Sequence, residues 1–205
     1  IMQKNVQRLM RLADQLLDFR KIQHQRMQLQ LREVEVISLL QDLCDSFNDL
    51  AEQKQICLQF SSNLPEYTMW LDDNKLDKML YNLLSNAHKF TPPNGSINVR
   101  AIIDESAGTL QIQVSDSGIT IPESKREQLF QRFTQLSFSP TGTGIGLSLT
   151  KELVELHHGN ISFQNNAGAG VTVINNLPLS REVYTADELA TLEAPSDTTA
   201  NTSPL

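Results

Sequence analysis

The stretch NLLSNAHKFTPPNGSI, Asn82 to Ile97, decides how the chain is read. Asn82 and Asn86 stand at i and i+4, on one face of a helix whose opposite face carries Leu80, Leu83, Leu84 and Ala87, with Lys89 in the last turn. Pro92, Pro93, Asn94 and Gly95 then close the helix with strong turn chemistry. An amide oxygen can ligate Mg²⁺ without neutralising it, and a lysine can hold a phosphate as a point charge. Taken alone, such a pair is more often an ordinary polar helix face, so its meaning depends on what surrounds it.

Two features follow downstream. VSDSGITIP, Val114 to Pro122, sets Asp116 at a strand end beside Gly118. The pair is either a plain turn or an acid aimed at the exocyclic amine of a base, with Gly118 allowing close approach to the ring. SPTGTGIGLSLTKELVELHHG, Ser139 to Gly159, is a glycine-rich loop that opens a helix, a common way to present backbone N–H groups to phosphate. It is not a dinucleotide fingerprint, because position 149 is Leu and the strand–loop–helix–strand unit is missing. Nor is it a P-loop, since no Lys-Ser or Lys-Thr follows the glycines at the required place.

Around these motifs the hydrophobic pattern predicts a helical layer on a mostly antiparallel sheet. A first helix carries a seam at Val6, Leu9, Ala13 and Leu16, widened by Met10, Leu12, Leu17 and Phe19, and ends near Gln23. A strand is expected at Met27 to Leu31, with a domain boundary near Gln25. Ser38 and Gln41 form a capping box for a helix running through Ala51. Strands follow at Ile56 to Phe60 and Met69 to Leu71, then a helix from Asp72 or Asp73 to about Lys89. Ile97 to Ile103 and Leu110 to Val114 form a hairpin. A short helix near Glu123 to Phe130, a helix from Gly146 to His158 and strands at Ile161 to Gln164 and Val171 to Leu177 complete the unit. Residues 181–205, rich in Thr, Ser, Ala and Pro towards the end, read as a linker or frayed tail.

With 205 residues and 40% hydrophobic content the chain can bury a real core. Its net charge of −7 argues against a sequence-independent grip on nucleic acid or an anionic membrane. No apolar run approaches the roughly 20 residues that span a bilayer. Cys44 and Cys57 lack metal-ligand spacing and read as two buried structural thiols. Ile1 stands in mid-helix pattern, so the chain reads as part of something longer.

In this order and spacing the three motifs resemble the ATP-binding domain of sensor histidine kinases, of the GHKL superfamily. NLLSNAHKFTPPNGSI is similar to the N box, DSGITIP to the first glycine box, LFQRF (Leu129 to Phe133) to the F box and GTGIGLSLTKELVELHHGNI to the second glycine box. NNAGAGVTVINNLP is similar to the closing segment. LLDFRKIQ, Leu16 to Gln23, resembles the end of the second helix of the dimerisation and phosphotransfer hairpin. The resemblance implies an α/β two-layer sandwich of the Bergerat type over residues 25–180. Residues 1–24 would be a partial hairpin helix and 181–205 a linker.

The resemblance also implies roles. Asn86 would ligate Mg²⁺ with Asn82 assisting, Lys89 would meet a phosphate of ATP, and Phe90 would wall the pocket. Asp116 would bond the adenine amine, with Gly118 and Ile121 lining the base. Phe130 and Phe133 would anchor a lid whose mobile part is Thr134 to Thr141, and Thr143, Gly144, Gly146 and Leu147 would offer N–H groups to the phosphates. Implied partners are the acceptor hairpin, a receiver domain or response regulator, and a second copy bound through residues 2–19. The domain would be cytoplasmic, in a parent of the hybrid kind with any inner-membrane anchor elsewhere.

Two departures stand out. Thr120 replaces the second glycine of the first glycine box, costly if that position needs φ > 0, and Val171 replaces a threonine of the closing segment. None of the histidines has the phosphoacceptor's surroundings. His24 is expected in solvent, His88 packed or against nucleotide, His157 as a favourable helix-end residue and His158 in a turn. The rival ATPases of this superfamily place a Glu where Asn82 stands, and an amide cannot serve as general base. A degenerate pocket kept for partner binding is the other alternative.

Overall fold

The structure, a computed structural model, describes residues 17, 18, 20, 21, 24, 27–125, 128–131 and 144–190. The apolar seam before residue 17, Phe19, Phe133, Thr134 to Thr141, Thr143 and residues 191–205 lie outside these.

A five-stranded sheet is built from β2 (Cys57–Ser62), β4 (Ser96–Asp104), β5 (Thr109–Asp116), β6 (Asn160–Asn165) and β7 (Val171–Pro178). Its order is β2-β4-β5-β7-β6, with β2 parallel to β4 and every other pair antiparallel. The period-two pattern explains which face is covered. Ile97, Val99, Ala101 and Ile103 of β4 are buried, as are Leu110, Ile112 and Val114 of β5, and the register sets Val99 opposite Val114 and Ala101 opposite Ile112. The other face is polar, with Gln111 donating to Asn176 at 2.8 Å and Asn176 to Asn160 at 2.9 Å. One covered face and one wet face give the expected two-layer sandwich.

The covering layer is α1 (Val36–Asp45), α2 (Asn48–Gln53), α3 (Asp73–Phe90) and α4 (Gly146–Leu156). In α3, Leu76, Met79, Leu80, Leu83, Leu84 and Ala87 make a buried stripe at spacings of three and four. Asp72 caps it, accepting from the Lys75 N–H at 3.1 Å, and Thr91 ends it by donating its hydroxyl to the Ala87 carbonyl at 2.7 Å. Lys78 of α3 pairs with the buried carboxylate of Asp18, docking the end of the first helix on this layer.

Several expectations are corrected. The first strand is not Met27–Leu31 but β1 (Arg32–Glu35), paired antiparallel with β3 (Thr68–Leu71) in a separate two-stranded sheet. The Gln30 N–H goes to the Asp72 carboxylate instead of a ladder, and Leu29 and Leu31 alternate because they pack with Tyr184. The cap of α1 is Glu35, not Ser38. The Glu35 carboxylate accepts from Ile37 at 3.2 Å, Ser38 at 2.6 Å and the distant Tyr67 N–H at 2.7 Å. The long helix through Ala51 breaks into α1 and α2, where the Ser46 hydroxyl donates to the Leu43 carbonyl. Of the helix expected near Glu123–Phe130, the described residues show a 3₁₀ turn at Glu123–Lys125. Cys44 is buried, which pushes its thiol up to about 12 and leaves it inert, but Cys57 at the start of the edge strand β2 is exposed.

The segment after β7 is not a loose tail as far as residue 190. A 3₁₀ turn at Arg181–Val183 leads into α5 (Ala186–Ala190), opened by a capping box in which the Glu188 carboxylate accepts from the Thr185 N–H at 2.7 Å. Tyr184 is buried against Leu29 and Leu31, and burial beside Glu188 pushes its phenol up to about 12. The Arg181 guanidinium lies 4.4 Å from the Trp70 ring centroid, and the His158 imidazole meets Glu188 at 3.0 Å. Among the described residues, no helix is long and apolar enough to cross a membrane.

Candidate functional site

The three motifs meet at one end of the helical layer. The Asn82 side chain, itself buried, donates Nδ2–H to the Gly146 carbonyl at 3.3 Å, joining the amide face of α3 to the start of α4. A β-carbon on Gly146 would stand 3.7 Å from the Asn82 amide, in ordinary contact. Asn86 is half-buried one turn further along α3. Lys89 lies over the ring of Phe90, 4.7 Å from its centroid.

Helix α4 begins without a side-chain cap from its own N-cap residue, Ile145, and no acid stands in its first turn. Its first N–H groups thus receive no acceptor from the N-cap side chain, and the helix dipole favours an anion there. Gly144 has φ +68°, a conformation that suits glycine. Leu147, half-buried, packs on both the main core and a smaller cluster.

The opposite wall is the end of β5. The Asp116 carboxylate accepts the Gly118 N–H at 2.8 Å and is also bonded by the Val171 N–H, yet burial outweighs these bonds and raises its pKa. A β-carbon on Gly118 would lie 2.5 Å from the Phe90 carbonyl oxygen, so the end of α3 rests flush on this corner. Gly170, at φ +88°, packs closer still to the Asp116 carbonyl. A cleft of about 290 Å³ opens beside the loop, lined by Gly118, Ile119, Thr120, Gly168 and Ala169. Ile121 is only 6% exposed and forms a floor with Leu129 and Val171. Phe130 packs on this cluster, edge-on to Phe163 at 6.0 Å between centroids.

Thr120 does not take a positive φ. Among the described non-glycine residues, positive φ occurs only at Gln55, Asn94 and His158. Gly118 is needed for close approach, and the cost feared for Thr120 does not arise.

Sequence reasoning missed two side chains that hold this loop. Asn165 bonds the Ile121 backbone in both directions, at 2.9 Å each, and Asn166 donates to the Asp116 carbonyl at 2.8 Å. Thr172 stands 2.6 Å from the Asn166 amide oxygen, so a hydroxyl remains near this corner although Val171 supplies none. The consecutive asparagines before Gly168 were the available signal.

The histidines sort by geometry. His157 is fully buried, with Nδ1 2.7 Å from the Leu153 carbonyl and Nε2 accepting from the Asp72 N–H at 3.3 Å. Burial lowers its pKa, so it is a neutral tautomer and not a cation on the helix dipole, which corrects the helix-end reading. His158 occupies the expected turn, in the left-handed conformation at φ +58°, and His24 is exposed. His88 bonds the Leu50 carbonyl of α2 at 3.0 Å.

Residues 71–181 match the family model for histidine kinase-, DNA gyrase B- and HSP90-like ATPases. The chain belongs to this family. Among curated proteins it is 38% identical over 185 residues to the sensor histidine kinase TmoS of Ectopseudomonas mendocina, covering 88% of this chain and 19% of TmoS. The chain thus spans about a fifth of that relative. The catalytic domain of the histidine kinase ThkA superposes with a TM-score of 0.69 at 25% identity, covering 76% of this chain and 99% of ThkA's domain. Full-length ShkA, solved with AMPPNP, superposes at 0.76 with 24% identity, covering 84% and 36% of the two chains. The fold is that of histidine kinase catalytic ATP-binding domains, as the motifs implied.

Proposed function

We propose that this chain binds Mg-ATP and donates the γ-phosphate to a histidine on the dimerisation hairpin of a sensor histidine kinase. Two contacts carry the reading. Asn82 to Gly146 and Phe90 to Gly118 bring the amide face of α3, the uncapped start of α4 and the Asp116 corner into one site. The complex of ShkA with AMPPNP supports the choice of nucleotide.

Asp116 bonds the adenine amine, while Gly118 lets the ring approach and Ile121 lies beneath it. Lys89 swings from the Phe90 face to a phosphate. The N–H groups of Thr143, Gly144, Gly146 and Leu147 receive the phosphate oxygens, and Phe130 and Phe133 anchor the lid. Asn86 ligates Mg²⁺ with help from Asn82. The donor set fits that ion: among the described residues no cluster of three His, Cys, Asp or Glu side chains competes for it, and Mg²⁺ commonly takes one or two protein oxygens plus phosphates. When bound, Mg²⁺ offsets charge on the transferring phosphoryl group. Positioning is most of what such a transfer asks of a protein.

Asn82 stands where a hydrolytic relative needs a general base, and an amide cannot take a proton at neutral pH. Transfer is therefore favoured over hydrolysis. The wider plan keeps residues 1–24 as a hairpin helix, 25–180 as the catalytic domain, pairing of two copies through residues 2–19, and a cytoplasmic place in a hybrid parent. ThkA has been solved in complex with the response regulator TrrA, which supports a regulator as downstream partner.

Calorimetry with AMPPNP and Mg²⁺ tests the nucleotide site. Incubation with γ-labelled ATP tests transfer: a stable label should form on a separately supplied acceptor hairpin and not on this chain alone. No binding at millimolar nucleotide would favour a degenerate module, and rapid phosphate release without acceptor would favour an ATPase.

A further inference from the structure

The last carbonyls of a helix have no partner within it, and α3 ends with four, those of His88, Lys89, Phe90 and Thr91. Three of them converge on one side chain. The Lys54 ammonium donates to the His88 carbonyl at 2.8 Å, the Thr91 carbonyl at 2.5 Å and, more weakly, the Lys89 carbonyl at 3.4 Å. An ammonium has three donors and no acceptor, so its capacity is matched to these oxygens. The fourth carbonyl, that of Phe90, is the one seated on Gly118.

Lys54 is delivered to this place by its own turn. It caps α2, its N–H bonded to the Ala51 carbonyl, and Gln55 follows in the left-handed conformation at φ +57°. That reversal sends the chain into β2, whose first N–H, on Cys57, donates to the Gly95 carbonyl just beyond the end of α3. The ring of His88 reaches back to the Leu50 carbonyl, a second tie between the same two helices. The α2–β2 turn, far in sequence from every nucleotide motif, thus grips the helix end that carries Asn86, Lys89 and Phe90.

We propose that Lys54 is a positioning residue for the nucleotide site. By holding three of the four terminal carbonyls it orients the Phe90 peptide against Gly118 and fixes the direction in which the last turn presents Asn86 and Lys89. It does not touch the nucleotide; it acts through the backbone of α3. A plain helix cap would add stability and leave affinity alone. The inference rests on the ATP-binding reading above.

The test compares K54M, K54Q and K54R with the unaltered chain, with S46A as a control that removes a helix-end bond away from the site. Binding of AMPPNP with Mg²⁺ is measured by calorimetry well below unfolding, and the amide signals of Gly118 and the Asn86 side chain are followed by NMR without nucleotide. K54M should bind roughly tenfold more weakly, a loss in keeping with sub-ångström to ångström misplacement of a site. K54Q should fall between, K54R should recover most of the affinity, and S46A should lose stability but not affinity. The Gly118 and Asn86 signals should move in K54M and K54Q. Unchanged affinity and unchanged signals in the charge-removing variants would overturn the proposal, and so would an affinity loss that S46A reproduces. If the unaltered chain binds no nucleotide, the ATP-binding reading fails, and the NMR signals alone then decide whether Lys54 orients the helix end; should K54M not fold, K54Q carries both measurements.

Discussion

The carbonyl oxygen of Phe90 occupies the space beside Gly118 so closely that a β-carbon there would stand 2.5 Å away. The end of α3 and the corner formed by Asp116 and Gly118 are therefore one surface, and its shape depends on a missing side chain. Gly118→Ala must push the Phe90 peptide off this seat. We expect nucleotide affinity to fall at least about tenfold, as for misplacement of a site by a fraction of an ångström to an ångström. Stability should fall by about 1–3 kcal/mol from overpacking, read from thermal melts beside calorimetry.

Asp116 pays a desolvation cost that its two N–H bonds do not cancel. Its folded pKa is raised, so the native state binds the proton more tightly than the unfolded chain does. The sign follows: stability is lost as pH rises from the unfolded value through the folded one. Asp116→Asn keeps an acceptor for the Gly118 N–H and removes the charge. It should melt at the same temperature or higher at neutral pH, and bind adenine nucleotides far more weakly.

His157 gives the opposite pH signature to a paired histidine. Its pKa is lowered by burial, so the unfolded chain takes up a proton that the folded one refuses as pH drops below the ordinary value of 6.5. Stability should then decline with falling pH, with a slope from this residue of at most about 1.4 kcal/mol per pH unit. His157→Gln can retain a donor for Leu153 and an acceptor for Asp72. Urea unfolding across this range should show a shallower acid-side decline in the variant than in the unaltered chain.

Asn175 sits 2% exposed in β7, opposite Ile112, and its side-chain oxygen accepts no hydrogen bond from the described residues. Leu76, Met79, Leu80 and Leu177 enclose it, and the space among them has no room for a water molecule. Asn175→Val removes an unsatisfied buried acceptor and suits a strand. It should raise unfolding free energy by about 1–2 kcal/mol, from the usual cost of such a group. An unchanged or lower midpoint would mean that the amide is serving a purpose in the native state.

Tyr184 joins the segment after β7 to Leu29 and Leu31. Tyr184→Ala should cost about 3 kcal/mol, the lower end for removing a buried aromatic ring. Hydrogen exchange should speed up at residues 29–31 more than in the sheet, since β4 and β5 do not rely on this cluster.

Much of this was readable in the sequence where the deciding interactions are local. Helix α3 was legible from Asp72, the apolar stripe and the Pro92–Pro93 stop, and the β4–β5 hairpin from its alternation. Misreadings arose where a distant partner decided the outcome. Glu35 displaced Ser38 as cap because its carboxylate also takes the Tyr67 N–H. Leu29 and Leu31 look like a strand because a residue after β7 packs on both. His157 has the position of a helix-end cation, and only burial makes it neutral. At the site, the residues proposed to bind nucleotide were read from the resemblance of their motifs; Asn165 and Asn166 lie in the closing segment, but their hold on the Ile121 and Asp116 backbone is not legible there, and Lys54 lies in no motif, because all three act on backbone atoms of other elements. The Thr185–Glu188 capping box was in plain view, but the Ser- and Thr-rich composition beyond it outweighed that local signal.

The domain is fastened to the chain that enters it at two separated points, the Asp18–Lys78 ion pair on α3 and the small core of Leu29, Leu31 and Tyr184. Two fastenings define an axle. Breaking either fastening would leave the entering chain held on the domain at a single point. Because Tyr184 belongs to the polypeptide leaving β7, the outgoing chain holds one bearing of the incoming one, and a pull on either side loads the same few side chains.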